Sequence, residues 1–167
     1  MKATKSTRKS ARKSARKSAS AAPQDATAML RADHKKVSAL FAQYAVTRSA
    51  VKKKSLVAQI CTELKVHTQI EEEIFYPAVK AALKDHELVP EATVEHASVK
   101  DLIAQVEGVN PEGEMFDARI KVMSEFVKHH VKEEQNEMFP KARKTKLDML
   151  QLGAAMAARK QELLAGQ

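Results

Sequence analysis

Both halves of this chain contain a histidine, a glutamate and a proline at the same spacing. This repeat limits the possible folds more than any other feature of the sequence. Each copy has a glutamate four residues and a proline ten residues after a histidine: His67, Glu71 and Pro77, then His130, Glu134 and Pro140. Ahead of each copy lies a lone histidine, His34 before Val37 and His96 before Val99. The repeat predicts two similar helix pairs facing each other as an antiparallel up-down four-helix bundle with near two-fold symmetry.

The composition favours an all-α chain. Apolar residues make up 44% of the sequence and aromatic residues only 4%, so the core is expected to be aliphatic. Asp25 or Thr27 is a candidate N-cap for the first helix, and Pro77 is expected to kink the second helix near Tyr76. The apolar periodicity predicts four long helices and a shorter fifth that caps or flanks the bundle, at residues 25–44, 51–83, 90–106, 114–144 and 147–164.

The first 23 residues are predicted to be a separate, disordered tail, ahead of a bundle at 24–145 and a C-terminal helix at 146–167. Eight Lys/Arg and no acids lie within residues 1–20, from Lys2 to Lys17, while the rest of the chain has 21 basic and 21 acidic residues. Such a segment buries too little apolar surface to order itself. It would attract DNA or another polyanion without sequence preference, because it has no aromatic side chains to stack on bases. A solubilising leader or an organelle transit peptide is the alternative.

Several protein classes are disfavoured. The chain has one cysteine, Cys61, so it cannot form an internal disulfide and is expected to place this residue in the core. No stretch is long and apolar enough to suggest a membrane span, and the basic N-terminus lacks the apolar region of a secretory signal. We therefore expect a cytoplasmic protein without a membrane partner. The sequence leaves its oligomeric state open.

The repeated residues form a set suited to metal binding. A histidine and a glutamate four residues apart share one helix face, and the symmetry of the repeat brings both pairs and the lone histidines to one level of the bundle. Four imidazoles and two carboxylates suit iron, manganese or zinc, and the two symmetric halves indicate a dinuclear centre. The predicted ligands are His34, His67, Glu71, His96, His130 and Glu134. The alternative is that these are ordinary solvated or core residues, but it does not explain the repetition.

Other polar residues near the motifs are predicted to have lesser roles. His86 and His129 are expected to be solvated, since His129 is about 100° around the helix from His130. The acids next to the predicted ligands are expected to be solvated or to lie just behind them: Glu72, Glu73 and Glu133. Tyr44 and Tyr76 are each within reach of the site on the sequence pattern, which does not distinguish between them.

These motifs resemble the hemerythrin-like (HHE cation-binding) domain family over roughly residues 25–145. The resemblance rests on Asp33-His34, on residues 64–77, on Glu95-His96 and on residues 129–134 followed by Phe139-Pro140. It implies a four-helix bundle with two iron ions in a non-haem, oxo- or hydroxo-bridged di-iron centre. By the same resemblance, the four histidines would be terminal ligands, and Glu71 and Glu134 would bridge the ions.

The sequence departs from the oxygen-carrying hemerythrins at two positions. Those proteins have a further histidine where this chain has Lys100, and a bridging aspartate five residues after the fourth-helix histidine, where this chain has Glu134 at four. The pattern is closer to the iron- and oxygen-responsive branch of the family. It predicts a protein that binds or senses dioxygen, nitric oxide, an oxidant or iron. The alternatives are an enzyme that decomposes peroxide or nitric oxide, and a nucleic-acid-associated protein with the bundle as a switch.

Overall fold

The computed structural model describes residues 24–166, and every regular element in that range is helical. The predicted basic tail, residues 1–23, lies outside the described residues. The helix ends agree with the predicted ones to within two residues. In chain order the elements are α1 (Ala26–Val46), α2 (Ala50–Ile70), π1 (Glu71–Phe75), α3 (Tyr76–Leu83), α4 (Leu88–Val106), α5 (Glu114–Glu133), π2 (Glu134–Met138), α6 (Phe139–Arg143) and α7 (Met149–Ala165).

Four long helices form an antiparallel bundle, as the repeat predicted. The α2, π1 and α3 segments run on as one helix, and α5, π2 and α6 form another. Helix α1 packs against α2, and α4 packs against α5, which gives the two helix pairs. Of the two candidate caps, Asp25 is the N-cap of α1, because its Oδ1 accepts a hydrogen bond from the Ala28 N–H at 3.1 Å.

The apolar core is divided into two clusters that lie along the bundle on either side of a polar layer. One cluster contains Val37, Leu64 and Val99, and the other contains Leu30 and Ile70. The predicted ligand histidines fall between members of the two clusters on their own helices. Buried polar side chains are therefore concentrated at one level of an otherwise apolar core, which also contains four buried phenylalanines in place of the purely aliphatic packing expected from the composition. Cys61 is fully buried in the first cluster, as predicted, where burial raises the pKa of its thiol to about 11.

Pro77 and Pro140, which lie inside the two proline-containing long helices, each follow a π-helical turn. The sequence pattern did not predict these turns. Pro77 comes two residues after π1, and Pro140 comes two residues after π2. A proline inside an α-helix lacks the N–H for the usual bond and collides with the carbonyl four residues back. The wider turn changes this register: the Tyr76 N–H donates to the carbonyl of Glu71, five residues back. The prediction of a kink near Tyr76 thus corresponds to a π-helical turn.

Helix α7, which corresponds to the predicted fifth helix, flanks one side of the bundle. It packs there against α1, α2 and π1. Gly153 allows it to approach this closely. A Cβ at this position would lie 1.9 Å from the backbone oxygen of Gln24 and 2.9 Å from the Ala26 nitrogen, so no larger residue fits there without moving backbone. Two ion pairs also hold α7, Lys160 with Asp33 and Arg159 with Glu73. No helix among residues 24–166 is long and apolar enough to cross a membrane.

Candidate metal centre

The structure brings all six predicted ligand residues together in the polar layer between the two apolar clusters. Each is at most 6% exposed, so the alternative that these side chains are solvated does not hold. They come from all four long helices, with His34 on α1, His96 on α4, and one histidine and one glutamate from each of the two proline-containing helices. Both glutamates are the first residues of the π-helical turns.

The four imidazoles form two pairs. The Nε2 atoms of His34 and His67 are 3.1 Å apart, and those of His96 and His130 are also 3.1 Å apart. Two nitrogens at about 2.1 Å from one ion would be about 3.0 Å apart at the right angles of octahedral coordination, and about 3.4 Å apart at the wider tetrahedral angle of zinc. Each pair therefore has the spacing of two ligands to a common ion, and the pair from α1 and α2 faces the pair from α4 and α5.

Both carboxylates connect these two histidine pairs. Oε2 of Glu71 lies 3.3 Å from Nε2 of His67 and 3.3 Å from Nε2 of His96. Oε2 of Glu134 lies 3.3 Å from Nε2 of His34 and 3.5 Å from Nε2 of His130. Each glutamate thus contacts one histidine of each pair, as a carboxylate that serves two neighbouring cations would.

The donor atoms of this cluster fit a bound cation better than they fit one another. Oε1 of Glu71 and Oε2 of Glu134 are buried and have no hydrogen-bond partner. Unpaired carboxylate oxygens in a protein interior are costly, and a cation removes that cost. Two combinations of these residues converge closely enough for an ion, one formed by His34, His67, Glu71 and Glu134, the other by Glu71, His96 and His130.

Burial and neighbouring charges shift the pKa values of several groups in the cluster. Burial and the neighbouring Glu134 carboxylate raise the pKa of Glu71 well above its usual value. Burial opposes ionisation of Glu134 as well, but contacts with His34 and the other imidazoles lower its pKa. Burial also lowers the pKa of His96 to about 4, so this imidazole is neutral at physiological pH and its nitrogen is free to bind a metal.

A polar group stands behind the Nδ1 atom of every predicted ligand histidine. Glu72 Oε1 is 3.0 Å from Nδ1 of His96, and Glu95 Oε2 is 2.7 Å from Nδ1 of His130. The partners of the other two rings are Asp33, at 3.5 Å from Nδ1 of His67, and the Gln135 amide, at 2.9 Å from Nδ1 of His34. A carboxylate that accepts the Nδ1 proton leaves the Nε2 lone pair directed at the cluster. The Gln135 amide instead donates its N–H to Nδ1 of His34, because its Oε1 accepts from Nη1 of Arg31 at 3.0 Å.

Three of these partners were not predicted from the sequence, Asp33, Glu95 and Gln135, although the repeat contains a signal for them. Asp33 and Glu95 each come directly before a lone histidine, yet each contacts the histidine of the adjacent helix. Glu72 and Gln135 each come directly after a cluster glutamate, and each contacts a lone histidine on the facing helix pair. Equivalent offsets in the two halves thus mark equivalent partners, but only the packed helices show which ring each one contacts.

Tyr76 belongs to the site and Tyr44 does not. The Tyr76 hydroxyl donates to Oε1 of Glu134 at 2.8 Å and lies 3.2 Å from Nε2 of His96. Burial and the two carboxylates raise the pKa of Tyr76 well above its usual value. The equivalent residue in the other half is Phe139, so this hydroxyl breaks the symmetry of the site. The Tyr44 hydroxyl instead donates to Asp117 at 2.5 Å.

The residues predicted to be solvated are at the surface. The side chain of His129 is 62% exposed, and His86 is exposed in the loop before α4. Lys100, which stands where oxygen-carrying hemerythrins have a histidine, contacts both oxygens of Glu72 at 2.7 Å. This lysine therefore anchors the partner of His96 and does not extend the set of donors in the cluster.

A small cavity of about 20 Å³ adjoins the cluster. Imidazoles of all four predicted ligand histidines line one part of it, and apolar side chains line most of the rest: Val37, Leu64, Val99, Val127 and Val131. A volume of about 10–15 Å³ is enough for one water molecule. The cavity therefore admits a molecule of two or three atoms beside the donor atoms.

Comparison with known proteins gives three matches. The sequence model of the hemerythrin HHE cation binding domain matches residues 25–142, in agreement with the resemblance that the motifs predicted. A curated relative named DNA nickase, from Nostoc sp. (strain PCC 7120 / SAG 25.82 / UTEX 2576), is 28% identical over 111 residues, or 66% of this chain and 31% of the relative. The chain thus spans about a third of that relative's length.

The third match is a crystal structure of a hemerythrin HHE cation binding domain-containing protein from Mycobacterium kansasii. It superimposes with a TM-score of 0.73, covering 86% of this chain and 89% of that one, at 23% sequence identity. This similarity establishes a shared helical-bundle fold.

Proposed function

Because this chain belongs to the hemerythrin HHE cation-binding domain family, we propose that it is a non-haem di-iron protein that binds or senses a small molecule such as dioxygen, nitric oxide or an oxidant. The observation that supports this most directly is that each of two buried carboxylates contacts histidines of both pairs. A single ion would need only one histidine pair. Two pairs linked by two carboxylates suit two ions, and imidazole with carboxylate suits iron.

In this proposal the six buried residues each have a definite role. The histidines would be terminal ligands, two to each ion, while Glu71 and Glu134 would bridge the ions. When bound, the iron would supply the affinity for a small ligand and the redox change that reports it. The protein holds the imidazoles in one orientation through their Nδ1 partners and excludes bulk water with its two apolar clusters.

The adjoining cavity supports a ligand of two or three atoms. Its volume of about 20 Å³ is too small for a metabolite, and its walls are mainly valine and leucine side chains. An apolar pocket of this size favours a molecule that carries no net charge, such as dioxygen or nitric oxide. The cavity borders the rings of His67 and His130, so a molecule within it would lie close to both halves of the centre.

Metal analysis tests the proposal. The full-length protein, purified after iron-replete expression, is expected to contain about two irons per chain, because the cluster has two histidine pairs. Air oxidation should produce oxo-to-iron charge-transfer absorption in the near ultraviolet. One zinc per chain with no iron would contradict the di-iron assignment.

A second candidate function is the decomposition of peroxide or nitric oxide, and Tyr76 favours it. Its hydroxyl oxygen lies 2.8 Å from a carboxylate oxygen inside the cluster, where a proton donor would be useful to a reaction. Tyr76→Phe should leave iron content unchanged and slow peroxide decomposition by about 10²-fold or more if the hydroxyl supplies a proton. Oxygen release from peroxide, measured on iron-loaded wild type and Tyr76→Phe, distinguishes the two functions. Negligible rates in both proteins would leave binding or sensing as the function, and equal rapid rates would show an enzyme that does not use the Tyr76 proton.

We further propose that the basic tail localises the protein on DNA. Its cations from Lys2 to Lys17 carry the excess charge of the chain, because the remaining 21 basic and 21 acidic residues balance. The Nostoc relative, by its name, acts on DNA, and its similarity to this chain extends over 111 residues. That relative's nicking activity is not carried over to this chain.

Removing residues 1–22 should abolish most DNA binding and leave iron content unchanged, since no predicted ligand precedes His34. If all eight cations contacted phosphates, the log–log salt slope would reach about −7, and partial engagement would make it smaller. Salt titrations of full-length and truncated protein on two unrelated duplexes measure this slope. Undiminished binding by the truncated protein would place the DNA site on the bundle.

A further inference from the structure

A second group of metal-binding side chains lies at the surface, on the side of the bundle formed by α4 and α5. The Nε2 atom of His129 is 3.4 Å from Oε1 of Glu95 and 3.3 Å from Oε1 of Glu133. The donor atoms of the three residues all lie within 4.8 Å of one another. One imidazole nitrogen can donate a proton to only one of two carboxylates at a time, so the two like charges are close together without a full complement of partners.

Two other acids behind the histidines of the centre pair with lysines. Asp33, which occupies in the first half the place of Glu95 in the second, pairs with Lys160, and Glu72, which lies behind His96, pairs with Lys100. Within residues 24–166, no lysine or arginine lies within ion-pair distance of Glu95 or Glu133. A histidine thus occupies, in the second half, the place of a cationic side chain.

The surface group also occupies positions that are apolar in the other half of the repeat. By the register that aligns His67 with His130, His129 corresponds to Val66 and Glu133 corresponds to Ile70, both of which are buried on α2. Helix α7 packs on α1, α2 and π1, and so covers that side of the bundle. Among residues 24–166, no further helix covers the α4–α5 side in this way, and that side carries a histidine and a glutamate where the covered side has valine and isoleucine.

A small cavity lies between two acids of the surface group and the buried centre. Its volume is about 10 Å³, close to the size of one water molecule, and it is lined by the surface acids Glu95 and Glu133 and also by His130 and Glu134 of the centre. Oε2 of Glu134 is one of the buried oxygens without a hydrogen-bond partner. The Glu95 carboxylate links both sites directly, with Oε1 toward His129 and Oε2 bonded to Nδ1 of His130.

We propose that Glu95, His129 and Glu133 form a surface site for a divalent cation, chiefly Fe²⁺, and that this site is where the cation enters on its way to the buried centre. The donor set of one imidazole and two carboxylates binds such ions. Capture at the surface would raise the local concentration of the cation at this small cavity. The capture step stands on the surface geometry alone, whereas the transfer step rests on the proposed di-iron function.

Binding of Mn²⁺, followed by the loss of its free-ion paramagnetic resonance signal, tests the surface site. The probe is added to full-length protein loaded with iron and oxidised in air, so that the buried centre is filled. Wild type is expected to bind one Mn²⁺ per chain, and His129→Ala combined with Glu133→Gln is expected to bind none at this site. The matched control is His86→Ala combined with Glu125→Gln, which removes the same residue types from other exposed positions and should bind like wild type.

The same titration on His67→Ala protein separates this site from the proposed function. His67 belongs to the histidine pair on the other side of the centre. Adding the two surface substitutions to His67→Ala should therefore lower its Mn²⁺ binding by one ion per chain, whatever the buried residues hold. Equal Mn²⁺ binding by the surface variant and its matched control would overturn the surface site.

The transfer step is tested by the rate at which metal-free protein takes up Fe²⁺ under anaerobic conditions. A chelator added at timed intervals traps the free iron, and the iron retained by the protein is then measured. The surface variant should reach the same final iron content as wild type but about tenfold or more slowly, in line with the gain from local charge. Equal uptake rates in variant and matched control would overturn entry by this route.

Discussion

His67→Ala and His130→Ala should each remove most of the bound metal. Each substitution takes one nitrogen from a pair whose Nε2 atoms are 3.1 Å apart, and it also takes away a contact of one bridging carboxylate. The remaining ligands of that half would be one histidine and two glutamates, with an open space where the ring had been. Metal content per chain after gel filtration measures the loss, and circular dichroism shows whether the helices remain.

The controls for this experiment are histidines outside the cluster. His129→Ala and His86→Ala remove the same side chain from exposed positions, and both proteins should hold the full amount of iron in the buried centre at equilibrium. The comparison of His129→Ala with His130→Ala is the more informative one, because it distinguishes a proposed ligand from the residue next to it on the same helix. If His129→Ala emptied the centre and His130→Ala spared it, the assignment of donors on α5 would be wrong.

Removing the metal should lower the stability of the fold substantially. Four imidazoles and two carboxylates would then face each other in the core, with two carboxylate oxygens lacking partners and with burial and Glu134 raising the pKa of Glu71. A cation that binds only the folded state stabilises it by about 4 kcal/mol when its free concentration is a thousand times Kd. Thermal unfolding of metal-loaded and chelator-treated protein, followed by circular dichroism, gives the difference.

This difference should disappear in a protein that cannot hold the metal. His67→Ala is the matched control, because its melting temperature should respond little to added or removed metal. Equal melting temperatures for loaded and metal-free wild type would contradict a buried internal site. A difference of the same size in wild type and His67→Ala would instead indicate stabilisation by metal bound elsewhere.

The local part of the candidate centre could be predicted from the sequence because helical geometry is periodic. Residues four apart share a face in any α-helix. The sequence therefore predicted, without knowledge of the fold, that His67 lies on one face with Glu71 and that His130 lies on one face with Glu134. The positions of the lone histidines in the repeat placed them at the same level. The exclusion of His129 followed from the same periodicity, which turns it about 100° away from His130.

The shape of the two long helices near their prolines could be predicted only in part. Prolines ten residues after each histidine indicated a disturbance in both long helices, but a kink, a break and a wider turn are all consistent with a proline. The choice of a π-helical turn depends on what the neighbouring helices pack against. That choice decides where Glu71 and Glu134 lie, because each is the first residue of such a turn.

The helical class, the repeat and the residues that share a helix face follow from the amino-acid sequence, since they depend on spacing along one chain segment. The packed helices were needed to show which histidines pair, that Tyr76 joins the centre while Tyr44 bonds Asp117, and which ring Glu95 and Gln135 each contact. They were also needed to show that α7 covers α1 and α2 and that, within residues 24–166, no further helix covers the α4–α5 side. These outcomes depend on the rotation and depth of one helix against another, which are set by the packing of side chains from distant parts of the chain.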